Sequence, residues 1–124
     1  MKLASLAAFY MAIGVACGAF GAHALRGVLS AADMAIWEKA VLYQLVHALA
    51  ALVLVFKTNL SAFDHRVNSI AILFLVSVTV FSGSLYILVL TGQRWLGMIT
   101  PLGGLGFIVA WLLLALRCLS VRDR

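Results

Sequence analysis

The chain has 124 residues, room for one domain and not two. Hydrophobic residues make up 65% of it and charged residues 10%, more apolar surface than a water-soluble fold can cover, so the sequence is that of a membrane protein. The net charge of +5 does not bring nucleic acid as a partner, because the basic residues are scattered through connections and ends with no basic face or aromatic-basic interleaving.

Lys2, the apolar run after it and Ala22-His23-Ala24 imitate a signal peptide. The run from Leu3 to Leu25 is about 23 residues, however, long for a signal core and right for a membrane span. The spacing predicts a first helix from Lys2 to Gly21 or Leu25. Ala7, Gly14, Gly18 and Gly21 fall on one narrow face of it. Gly14 and Gly18 make a G-x-x-x-G pair that lets two helix backbones approach in lipid. Packing inside the chain is the expectation, and a dimer seam the alternative.

Gly27 punctuates the turn, and Ser30-Ala-Ala-Asp33 predicts a capped start to helix two, over Ala31 to Phe56. This is about 26 residues, longer than the hydrocarbon core needs, which leaves the turns through Trp37, Glu38 and Lys39 at headgroup depth. Ser61 and Asp64 repeat the capping signal before helix three, over about Val67 to Leu90. After the turn at Thr91-Gly-Gln-Arg94, Trp95 is placed as an interfacial anchor. Thr100-Pro101 reads as cap and first helical residue of helix four, which runs to about Leu119; an earlier start at Trp95 with a kink at the proline is the alternative. Gly103, Gly104 and Gly106 make that end of helix four thin.

Lys2, Lys57, Arg66, Arg117, Arg122 and Arg124 fall on one side of such a bundle, and Arg26, Lys39 and Arg94 on the other. That asymmetry predicts both termini in the cytoplasm. Cys17 and Cys118 then sit in opposite halves of the bilayer, beyond disulfide reach.

The polar side chains within the spans are the candidate site. On helix two, Tyr43 and Gln44 flank His47, with Glu38 nearly opposite. Helix three offers Thr79, Ser82, Gly83 and Tyr86 on one face. With Thr100, and with His23 at the outer mouth, they predict an outer half that is polar inside and a cytoplasmic half that is aliphatic. Hydrogen bonds that hold the helices together explain most of these residues. His47 is the exception: an imidazole mid-span invites ligand recognition or proton handling, although a bond to Ser82 or Tyr86 would make it structural. His23, His47 and Glu38 point apart, so no metal site is expected. No nucleophile elbow, phosphate loop or nucleotide fingerprint occurs, and as an enzyme acid or base His47 lacks a second reactive group.

Four segments recur in a recognisable order: Gly18-Ala-Phe-Gly-Ala-His-Ala-Leu25, Tyr43-Gln-Leu-Val-His-Ala-Leu-Ala50, Phe81-Ser-Gly-Ser-Leu-Tyr86 and Thr100-Pro-Leu-Gly-Gly104. Together they make the chain resemble the YgdD-like family of small inner-membrane proteins, domain of unknown function 423. Trp37 and Glu38 suit that pattern too; Ala110 departs from it, where glycine is expected before Trp111. The resemblance implies four helices in the bacterial inner membrane and brings no activity, cofactor or catalytic residue with it.

The expectation is therefore an all-α, up-down-up-down bundle of four membrane-spanning helices over residues 1–124, packed through Gly14, Gly18, Gly21 and Gly104. It is read as non-enzymatic, with no metal and with no cofactor named. Its expected ligand is a lipid, a quinone-like molecule or a partner helix, held in the outer half by His23, Tyr43, Gln44, His47, Thr79, Ser82, Tyr86 and Thr100. The alternative is a homo-oligomeric channel or transporter subunit joined through Gly14 and Gly18.

Overall fold

The computed structural model describes residues 2–60 and 65–122. Four helices follow from four apolar runs: α1 (Lys2–His23), α2 (Ala31–Leu60), α3 (His65–Thr91) and α4 (Thr100–Arg122). All four contain a stretch long and apolar enough to cross a membrane. Ser61 and Asp64 lie outside the described residues.

The helices stop where the backbone chemistry changes. Between α1 and α2, Gly27 adopts φ 83°, and just past α3 Gly92 adopts φ 71°. Both are left-handed conformations that a side chain disfavours, so each reverses the chain sharply. Ser30 caps α2 by accepting from the Asp33 amide at 3.1 Å, while its own hydroxyl donates to the Asp33 carboxylate at 2.9 Å. Arg94 pairs with the same carboxylate at 2.8 Å, tying together the two connections at that end of the bundle.

α4 begins differently from the sequence expectation. A 3-10 helix over Arg94–Met98 precedes it, so the chain is already turning before Thr100. The Thr100 hydroxyl does not cap the helix: it donates back to the Leu96 carbonyl and shares a hydrogen bond with Ser84 on α3. Thr100 is thus a bridge between α3 and α4.

α3 is the central helix. Half of its spanning window is buried inside the protein, against 11% for α1 and 17% for α4. α2 packs along α3, α1 rests on α2 and barely reaches α3, and α4 rests on α3. Glycines set the two outer contacts. A Cβ built at Gly14 would lie 2.7 Å from the Leu45 side chain, and one at Gly21 would lie 2.6 Å from the Trp37 ring; Gly18 faces Val41. The stripe therefore seats α1 on α2 within the chain, and the seam expected for an oligomer is already occupied. On α4 the glycine nearest the α3 backbone is Gly103, where a Cβ would fall 2.5 Å from the Phe81 backbone nitrogen. Gly106 sits against Ser77, whereas Gly104, the position expected to pack, is only in ordinary contact distance of the Phe81 ring.

The interior has two apolar clusters. One, toward the chain termini, gathers Ala7, Ala48, Ala51, Ile70, Phe74 and Phe107 among others. The other, beneath the two glycine turns, is Leu25, Trp37, Leu88, Val89 and Leu96. Polar side chains bridge the helices between them. The turn-bearing end is consequently not polar throughout; it is closed by Trp37 and its leucines.

Candidate functional site

Gln44 is the hub of the polar layer. It is only 4% exposed, and lipid offers no alternative partner for its amide. Its Nε2 donates to the Tyr10 carbonyl of α1 at 2.8 Å, and its Oε1 accepts from the Tyr86 hydroxyl of α3 at 2.8 Å. The Thr79 hydroxyl donates to Leu75 within its own helix, so in the 2.6 Å contact with Tyr10 it is the tyrosine that donates. Ser82 donates to the Ala40 carbonyl at 2.7 Å, and the Trp37 indole to the Cys17 carbonyl at 2.9 Å. No fully buried side-chain nitrogen or oxygen among the described residues lacks a partner.

Five of the eight expected ligand residues (Gln44, Thr79, Ser82, Tyr86 and Thr100) are thus engaged in hydrogen bonds between or within helices. His23 is exposed at the last turn of α1. The expected pocket enclosed in one half of the bundle is filled by these contacts.

Tyr43 and His47 are the two that remain, and they point elsewhere. One helical turn apart, they face α4 rather than the Gln44 side of α2. The His47 ring stacks on Phe107, with centroids 3.6 Å apart and planes 16° from parallel. Phe74 of α3 and Trp111 of α4 meet it at 5.7 and 6.0 Å. Tyr43 stacks on Phe81 at 4.6 Å. The imidazole therefore lies inside the bundle, bonded to neither Ser82 nor Tyr86. Its Nδ1 is 2.7 Å from the Tyr43 carbonyl. A carbonyl can only accept, so Nδ1 carries the proton, and in the neutral ring Nε2 is an acceptor. Nε2 and the Tyr43 hydroxyl make no hydrogen bond within the described residues. Both residues line a groove of about 630 Å³ between α2 and α4, with Pro101, Gly104, Phe107 and Trp111 on its other wall.

Tyr10 and the aromatic partners of His47 are site residues that sequence reasoning misses. Tyr10 had a signal: tyrosine belongs at the membrane interface, and one mid-span needs a bonding partner. Phe81, Phe107 and Trp111 had none, because aromatic residues in an apolar span are ordinary. Among the described residues no group of three or more His, Cys, Asp or Glu converges, and both cysteines are free.

Comparison with known proteins adds the setting. Residues 17–104 match the family described as protein of unknown function DUF423, a stretch that contains all four sequence motifs. A UPF0382 membrane protein of Staphylococcus haemolyticus is 47% identical over 109 residues, 88% of each chain. One from Staphylococcus aureus is 45% identical over 84% of this chain and 82% of its own. The UPF0382 membrane protein YwdK of Bacillus subtilis is 38% identical over 88% of this chain and 89% of its own. No solved structure matches.

Proposed function

The chain belongs to the DUF423 family of membrane proteins, and from that premise we propose that it is a single-domain, non-enzymatic protein of the bacterial inner membrane that binds a quinone-like molecule in the groove between α2 and α4. The positive-inside distribution of lysine and arginine supports both termini in the cytoplasm. The observation that carries the ligand reading is the state of His47. Its ring is clamped flat against Phe107 with one nitrogen engaged, and the other is left as an acceptor in an apolar groove.

A flat ring bearing hydroxyl or carbonyl groups matches those surroundings. It can stack on the exposed aromatic edges, donate a hydroxyl to His47 Nε2 and accept from the Tyr43 hydroxyl. The groove opens sideways to where a long apolar tail would already lie, and its volume suits a ring head with the first part of its tail. The Gln44 layer joins α2 to α1 and α3, contributes no lining to the groove and is not itself the receptor.

The test is titration of the detergent-solubilised protein with a short-tail benzoquinol, read by native mass spectrometry. His47→Phe keeps the stacking and removes the acceptor, and is expected to weaken retention by about five- to tenfold, the worth of one hydrogen bond. Gln44→Leu should leave retention unchanged. Equal binding by wild type and His47→Phe would sink this function.

A further inference from the structure

A second groove lies at the other end of the molecule, on the opposite face of α4. Gly103 and Gly106 seat α4 on α3 at Phe81 and Ser77, and from there toward the chain termini α4 has no further glycine. Beyond the buried Ala110, Leu114 still packs against the core while Leu113 and Leu116 stay exposed, and a groove of about 570 Å³ opens between the helices. Its depth is apolar, built from Ile70, Leu73, Leu113 and Leu116. Its mouth carries Arg66 and Ser69 from the first turns of α3 and Arg117 and Ser120 from the last turns of α4.

The order of these groups along the membrane normal is informative. On α4, Leu113, Leu116, Arg117 and Ser120 recur at helical spacing on one face, so hydrocarbon gives way to guanidinium within a single turn. On α3 the same sequence is read in reverse, Arg66 and Ser69 preceding Ile70 and Leu73. Both arginines therefore stand at one depth, at the headgroup end of an apolar slot. The Arg117 guanidinium donates to the Ser120 hydroxyl at 3.1 Å, which holds it over the groove. The amino end of α3 adds its own partial positive charge at this level.

We propose that this groove is a binding site for an anionic phospholipid, with the phosphate between Arg66 and Arg117 and one acyl chain along Leu73, Leu113 and Leu116. Charge complementarity selects that occupant: a zwitterionic lipid brings an ammonium group into a mouth that already carries two guanidiniums, whereas an anionic lipid brings only charge of the opposite sign. The site is separate from the His47 groove and does not depend on a quinone-like ligand.

The experiment uses the full chain in mild detergent, with phosphatidylglycerol and phosphatidylcholine of identical acyl chains, and reads bound lipid by native mass spectrometry. Wild type is expected to retain phosphatidylglycerol preferentially, and the preference should fall as salt is raised. At about fivefold per arginine, the double variant Arg66→Gln with Arg117→Gln should lose roughly 25-fold of that preference, whereas lysine at both positions should keep most of it. The salt dependence in wild type stands even if the double glutamine variant does not fold. Equal retention of the two lipids by wild type, or an undiminished preference in a folded double glutamine variant, would overturn the proposal.

Discussion

Gln44 and His47 sit one turn apart on the same helix and perform different work, which single substitutions separate. Gln44→Leu removes two interhelical hydrogen bonds and takes from the Tyr86 hydroxyl its amide acceptor. Within a membrane each such bond contributes about 0.6 kcal/mol on average, so a loss of roughly 1–2 kcal/mol is expected in unfolding from mixed micelles. Tyr86→Phe in the same background should add little, because its partner is already gone; full additivity of the two losses would contradict a direct bond. His47→Phe should unfold at nearly the wild-type midpoint, since it retains the stack on Phe107. Helical periodicity was enough to bring the mid-span polar residues to notice. It was too coarse to divide them: Tyr43, Gln44 and His47 cover less than half of the helix circumference, and which neighbour each one meets depends on how far α1 and α4 have rolled around the α2–α3 pair. That roll is set by contacts such as Gly21 on Trp37 and Gly103 on Phe81, which no local spacing announces.

The glycines argue the same point at the scale of helices. Gly83 and Gly103 lie mid-helix and near a helix start, with opposite surroundings. A Cβ at Gly83 meets open space, whereas one at Gly103 runs into the Phe81 backbone. Gly83→Ala should therefore be neutral or slightly stabilising, by up to about 1 kcal/mol from helix propensity. Gly103→Ala must push α4 off α3 and should lower the thermal midpoint in detergent; an unchanged midpoint would mean that α4 is not seated as described. Gly103→Ala should also weaken benzoquinol retention, because Phe107 moves with α4. The four helices themselves were legible from length and hydropathy to within a few residues at most ends. The start of α4 was less so: Thr-Pro carries a capping signal, yet the Thr100 hydroxyl finds Leu96 and Ser84, and a 3-10 turn does the reversing. The capping rule weighs local backbone donors alone, and here a neighbouring helix competes for the hydroxyl.

For the molecule as a whole, the expected topology places Gln93 outside the cell and Cys118 within. In a chain with Cys17→Ser and Gln93→Cys, a membrane-impermeant maleimide applied to intact cells should label position 93 and leave position 118 unlabelled until the cells are opened; the reverse pattern would invert the proposed orientation. The arrangement of a polar layer between two greasy ones has a mechanical consequence. Hydrocarbon side chains meet lipid tails and one another on nearly equal terms, so leucine-rich helices have little to stop them sliding lengthwise past each other. A slip of one turn, 5.4 Å, would part Gln44 from both Tyr10 and Tyr86 at once, with no water to take their place. The belt is therefore an index mark, giving three helices one shared height that oil alone could not specify.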